Sequence, residues 1–233
     1  MELLWEALVA AVGLILRADS ELLRIASLSL AVSGAATLLS ALVGIPLGVA
    51  LHLGRFRGRR ALALLVSTGM SLPPVVVGLV LTMLLWRSGP FGALRLLYTP
   101  PAMVLAQFVV AVPFVAGFTL AALSLLDVAL AEALRTDGAA EWRVGGELLR
   151  AAWPQVAVAV AAGFGRAVSE VGASLMVGGN IVGQTRIFTT AIALEAGKGE
   201  FALALALGFI LLALALLVNV LFGAFGRTVA LGG

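Results

Sequence analysis

Five long stretches of this sequence carry almost no charge, and nothing else about the chain restricts its fold as strongly. No charged residue occurs across 25–54, 61–86, 96–126 or 201–226, and 151–184 holds only Arg166 and Glu170. Each stretch can supply the roughly 20 apolar residues a helix needs to cross a hydrocarbon core. Inside a bilayer, only helices and closed barrels satisfy their own backbone groups. Barrel strands would show alternation over about ten residues, whereas these runs are continuously apolar. The expectation is an all-α membrane protein with five transmembrane helices.

Composition removes the soluble alternative. Of 233 residues, 62% are hydrophobic and 12% charged, with a mean hydropathy of +1.14. Soluble domains carry about 25% charged residues, and a domain of this length has no interior large enough for so much apolar side chain. The net charge of +3 is scattered apart from a cluster at Arg55, Arg57, Arg59 and Arg60, so there is no basic face for a nucleic acid. The absence of cysteine excludes disulfides, thiolate metal sites and cysteine nucleophiles. A single histidine, His52, cannot build a metal cluster.

The N-terminal stretch differs from the rest. Glu2 and Glu6 stand where a signal peptide would be basic, and the apolar run 7–16 is shorter than a span. Residues 1–23 are therefore expected to form an interfacial or partly inserted helix and a linker, with a sixth span as the alternative. Residues 24–226 would form the transmembrane domain. The first inter-span loop holds four arginines and the next only Arg87 and Arg95. The positive-inside rule then puts the first loop in the cytoplasm, the N-terminus outside, and the C-terminus, with Arg227, inside. Segment 127–150 also falls on the cytoplasmic side.

Prolines and glycines punctuate the spans. Pro46 lies between Gly44 and Gly48, Pro73-Pro74 opens the second span, and Pro113 sits inside the third. Such prolines kink membrane helices and free carbonyls that neighbours must satisfy, while a Gly44/Gly48 pair permits close helix contact. No repeat of 20–50 residues and no inverted similarity between halves is visible. Many secondary transporters are built from such repeats.

Three segments carry polar chemistry. Residues 132–143 form the longest charge-rich stretch and have a helix, glycine, helix pattern: 127–136, a turn at Gly138, then 139–150. An amphipathic segment of this kind suits docking against another protein at the membrane surface; a solvated loop is the alternative. Arg166 and Glu170 are four residues apart and share a helix face. Ionisable groups at membrane depth face a bundle interior or an aqueous cavity, so the two either tie helices together or line a pathway. Finally, Asn180, Gln184, Thr185, Arg186, Thr189 and Thr190 offer N–H and O–H donors with some positive potential, which an oxyanion in transit requires. A polar external turn without ligand contact is the other reading.

Glu132-Ala133 followed by Gly138 resembles the coupling motif of binding-protein-dependent ABC importer permeases. It departs from that motif at Leu134, where alanine is favoured, and at Arg150-Ala151, where a Leu-Pro is expected; Pro154 follows shortly after. The block from Gly163 through Glu170 to Ala173, then Val177-Gly178-Gly179-Asn180-Ile181 and Gly183-Gln184-Thr185-Arg186, is similar to the permeases of molybdate, sulfate and tungstate importers. Its wording is nearest the tungstate branch. The likeness extends over nearly the whole chain, including Leu72-Pro73-Pro74-Val75 and Arg87-Ser88-Gly89-Pro90.

The resemblance implies a type I ABC importer transmembrane domain in the inner membrane of a prokaryote, paired with a second copy. It also implies two cytoplasmic ATPase subunits, which hold ATP and Mg, and an extracytoplasmic anion-binding protein. Glu132, Ala133, Gly138, Ala139, Glu141 and Trp142 would couple to the ATPase. Arg166, Glu170, Asn180, Gln184, Thr185, Arg186, Thr189 and Thr190 would line or gate the pathway. The chain itself would be neither enzyme nor cofactor carrier, consistent with the lack of a Gly-rich Lys-Ser/Thr phosphate loop. Tungstate is the expected cargo, with molybdate or sulfate as alternatives. A self-sufficient anion carrier or channel, or an intramembrane enzyme, are the remaining classes. Glu170 is the only clear membrane carboxylate for proton coupling, and His52 has no evident catalytic partner.

Overall fold

The computed structural model describes residues 2–17 and 20–231, except the side chains of Ala7 and of 222–231. The Arg227 side chain, part of the expected C-terminal orientation, thus lies outside the described residues. The helices are α1 (Glu2–Leu16), α2 (Ser20–Leu53), α3 (Arg59–Met70), α4 (Pro74–Leu85), α5 (Pro100–Ser124), α6 (Val128–Thr136), α7 (Glu141–Ala151), α8 (Trp153–Val168), α9 (Gly172–Gly178), α10 (Phe188–Gly197) and α11 (Phe201–Leu231). No strand occurs among the described residues.

Three helices are long and apolar enough to cross a membrane unaided: α2, α5 and α11 over Phe201–Leu221. Five spans result only if the bent pairs α3–α4 and α7–α8 each count as one. The expected second span is therefore not a straight helix. Its halves meet at 104° because Pro73 is held extended (φ −63°, ψ 121°) and Pro74 opens the next helix. A residue before proline is pushed out of the α region, and proline itself is at home in a first helical turn. The expected fourth span is also interrupted: α8 ends at Val168, and a second, seven-residue helix, α9, starts at Gly172.

The α2–α5 seam forms the centre of the bundle. A Cβ placed on Gly44 would lie 2.9 Å from Val115 Cβ, and one on Gly48 would lie 2.7 Å from Thr119 Cβ. The expected small-residue contact is thus made within the chain. Gly163 brings α8 against the same Val115, and Gly78 brings α4 against the Ala173 backbone of α9. Small residues allow such approach where lipid offers no hydrophobic drive between helices. One apolar cluster joins α4, α5 and α9 through Leu81, Met103 and Val177; a second, through Leu123, Val144, Leu148 and Val156, joins α5, α7 and α8.

Helix α1 packs along α11, and its Leu14 meets the cluster of Leu22, Ile25, Phe188 and Leu207. At 15 residues it is about 22 Å long, short of a hydrocarbon core of about 30 Å.

Candidate coupling surface and translocation segment

The charged stretch 127–150 folds as a helical hairpin laid across the end of the bundle. Asp127 starts α6 by accepting a hydrogen bond from Ala129 N at 2.9 Å, the usual way a helix start satisfies a free N–H. Gly138 ends it in the left-handed region (φ 81°), a conformation open to glycine at no steric cost. The expected helix, glycine, helix pattern is thus the observed one. Helix α7 then runs at 82° to α8, so that if α8 follows the membrane normal, α7 lies close to the membrane plane.

Two faces of this hairpin have different tasks. Val144 and Leu148 are buried in the cluster with Leu123 and Val156, and Val49 and Leu53 of α2 pack against it. Gly145 is also buried, and a Cβ there would stand 3.0 Å from Val49 Cγ1. Leu134, the departure from the coupling motif, packs on the same cluster together with Ala139. The opposite face is open: Glu132, Ala133, Gly138, Glu141 and Trp142 are all exposed, Trp142 to 80%. Arg135 straps α6 to α7, donating from Nε and Nη2 to the two Glu141 carboxylate oxygens at 2.8 and 3.1 Å. That hydrogen bond holds the Glu141 carboxyl below its usual range. The strap therefore persists through neutral pH and is released only as pH falls through the lowered value. Pro154 sits in the first turn of α8, just beyond the bend.

On the far side of the bundle, Glu170 lies at the break between α8 and α9 and is 1% exposed. One carboxylate oxygen accepts from Arg166 Nη1 at 3.0 Å, and the other accepts from Ala173 N at 2.8 Å, in the first turn of α9. Its backbone carbonyl accepts from Thr189 Oγ1 at 2.9 Å, tying in α10. Both carboxylate oxygens are engaged, and with the carbonyl they join three helices. Arg166 differs: its side chain keeps 21% exposure, and its guanidinium lies 5.8 Å from the centre of the Phe114 ring, within cation–π range.

The polar stretch that follows divides in the same way. Thr185 Oγ1 donates to Gly178 O at 2.6 Å and accepts from Ile181 N at 2.9 Å, closing the turn through Gly179, Asn180 and Gly183, all at positive φ. Thr190 Oγ1 bonds both the N–H and the carbonyl of Ile187, and Ser29 of α2 accepts from Phe188 N at 2.9 Å. Thr185, Thr189 and Thr190 are thus buried with their hydroxyls engaged. Gln184 is exposed, Asn180 and Arg186 are half-buried, and Arg186 Nη1 pairs with Glu21 at 3.0 Å. The buried Asn180 Oδ1 and Arg186 Nε have no hydrogen-bond partner.

Ser29, Phe114 and Glu21 are not marked by the sequence, since no local pattern identifies a serine or phenylalanine within a span as a partner of a distant segment. Gln107 carries a signal: it is an amide inside an apolar run, and it is fully buried with Nε2 3.2 Å from Ser174 Oγ.

A family model described as binding-protein-dependent transport system inner membrane component matches residues 44–231. A probable anion ABC transporter permease protein of Haloferax volcanii is 43% identical over 205 residues, 86% of this chain and 88% of that protein. A tungstate uptake system permease protein of Peptoclostridium acidaminophilum is 37% identical, covering 94% of this chain and 96% of that protein. Among solved structures, an inward-facing methionine ABC transporter superposes with a TM-score of 0.73 at 21% identity, covering 89% of this chain and 95% of that one. At that identity the likeness is one of fold, and it is the fold that the sequence resemblance leads one to expect.

Proposed function

The chain belongs to the family of binding-protein-dependent transport system inner membrane components, and from that premise we propose that it passes tungstate across the cell membrane, driven by ATP hydrolysis in a separate subunit. The observation that carries the proposal is the hairpin α6–α7. It is anchored to α2 and α8 by Val144, Gly145 and Leu148 while presenting Glu132, Ala133 and Trp142 outward. An element packed against α2 and bent sharply from α8, with an open polar and aromatic face, can transmit motion from a docked protein into two membrane helices at once.

In this reading, two copies enclose the pathway, and two ATPase subunits holding ATP and Mg dock beneath the α6–α7 hairpins. An extracytoplasmic binding protein delivers the anion. The start of α2 faces outside and the C-terminus the cytoplasm, with residues 1–23 an appended element of a transmembrane domain that spans 24–226. ATP-driven closure of the ATPase pair moves 127–150, and α8 turns with it because the two meet at a single bend. The groups that would meet a dianion are Arg166 and Arg186, each held by one carboxylate through a single Nη1 contact, together with Asn180 and Gln184. Glu170, Thr185, Thr189 and Thr190 hold the surrounding backbone in place. A passage that must release its cargo binds it weakly, and these few dispersed donors fit that requirement better than a converged cage of arginines.

Tungstate is chosen over molybdate and sulfate on the 37% identity, over nearly the full length, to a tungstate uptake permease. The test is competition. Proteoliposomes holding the permease, the ATPase and the binding protein are offered radiolabelled tungstate against equal unlabelled molybdate or sulfate. Uptake that persists supports tungstate; uptake abolished by equimolar molybdate or sulfate overturns the cargo assignment.

A further inference from the structure

Neither the coupling hairpin nor the polar stretch 180–190 includes the cluster Arg55, Arg57, Arg59 and Arg60, to which the positive-inside rule gives a part in topology. All four side chains are exposed, and among the described residues none has a carboxylate within ion-pair distance. Local helix stability does not explain them. Arg59 and Arg60 occupy the first two positions of α3, where the helix dipole favours acids and opposes cations. Arg59 donates from Nε to the Leu51 carbonyl at 2.6 Å, which leaves Arg55, Arg57 and Arg60 to face outward.

Beside this cluster opens a cleft of about 820 Å³ between the last turns of α2, the 54–58 loop and α7, within the range of about 300–1,000 Å³ typical of ligand sites. Its walls are mainly apolar, with Val49, Leu53, Phe56 and Leu149, and Arg55, Arg135, Glu141 and Trp142 are among its polar and aromatic lining. The one carboxylate in the lining, Glu141, is bound by Arg135 through both oxygens. An apolar slot beside unpaired guanidiniums, at the end of a membrane helix, has the chemistry of an amphiphile with an anionic head.

We infer that this cleft binds one anionic phospholipid, with acyl chain against Val49, Leu53 and Leu149 and phosphate on Arg55 and Arg57. The site borders the proposed docking face at Glu141 and Trp142, and it rests on the proposed function for which leaflet supplies the lipid. Arginines recognise phosphate through paired N–H donors, and juxtamembrane basic clusters draw anionic lipids from the cytoplasmic leaflet. Occupation would wedge the contact between α2 and α7 and so set how firmly the hairpin is held to the bundle.

The site is tested on the full chain in vesicles whose two leaflets have the same composition, so orientation does not matter. With Trp5, Trp86 and Trp153 changed to Phe, Trp142 becomes the sole tryptophan. The vesicles are phosphatidylcholine with increasing acyl-brominated phosphatidylglycerol, or brominated phosphatidylcholine as reference. The expected result is quenching of Trp142 at a several-fold lower mole fraction of the anionic lipid. Arg55→Ala and Arg57→Ala should each raise that fraction about fivefold. Equal quenching by both lipids, or none by either because a second copy fills the cleft, overturns the inference. Native mass spectrometry of the unaltered chain tests the same point without substitutions: retention of phosphatidylglycerol over phosphatidylcholine supports the site, and indifference between them refutes it.

Discussion

Glu170 shows most clearly how a single residue organises the fold. Its carboxylate joins Arg166 on α8 to the first turn of α9, and its carbonyl receives Thr189 of α10. Removing only the acid, as in Glu170→Ala, strands a partly buried guanidinium and a helix-start N–H; one-sided loss of a buried ion pair costs about 3–5 kcal/mol. Replacing Arg166 and Glu170 together with apolar residues of similar volume avoids the stranded charge. What then remains is mainly the lost cap on α9, about 1 kcal/mol. Thermal unfolding in detergent should rank Glu170→Ala well below the double variant, and a double variant as unstable as the single one would refute this role for the pair. The sequence reveals that Arg166 and Glu170 can meet, because spacing alone puts them on one face. It does not reveal which hydroxyls of Thr185, Thr189 and Thr190 are already engaged, since their partners Gly178, Glu170 and Ile187 are fixed by turns that the fold creates.

Among the elements, the hairpin α6–α7 is the most legible in the sequence and the broken spans are the least. Charge density, Gly138 and amphipathic flanks are all visible locally, and the helices begin and end close to where those signals put them. The α3–α4 bend is hidden because an apolar run looks the same straight or folded; only Pro73-Pro74 marks it. Gly138 offers the sharpest test. Proline there fixes φ near −65° against the observed 81°, and it removes the N–H that reaches the Arg135 carbonyl at 3.0 Å. Gly138→Pro should reorient α6 against α7, lowering uptake at least tenfold while ATP hydrolysis continues. Glu132→Arg, at an exposed position, should uncouple in the same way with unchanged thermal stability. Normal uptake in both variants would sink the coupling role of the segment.

For the whole molecule, lipid as solvent explains why so much is readable and why the remainder is not. Long apolar runs announce membrane helices because the backbone has no other way to close its hydrogen bonds. How those helices meet depends on contacts between distant small residues. Gly44 and Gly48 are recognisable as a contact pair, but that the partner is α5 of the same chain, at Val115 and Thr119, emerges only in three dimensions. The same holds for α1, whose sub-spanning length is legible and whose seat along α11 is not. Together, the bent pairs and the hairpin describe a bundle with half-helices stapled at Glu170 at one level and, at the other, the exposed hairpin face proposed for docking.

Coupling through α6–α7 requires that this bundle move an anion only when a docked ATPase works on that hairpin. The decisive measurement is tungstate uptake and ATP hydrolysis recorded together in proteoliposomes, with and without the ATPase subunit. Coupling predicts uptake only when permease, ATPase, binding protein and ATP are all present, and no accumulation by the permease alone. Accumulation by the permease alone, indifferent to ATP, would contradict it and make the chain a self-sufficient carrier.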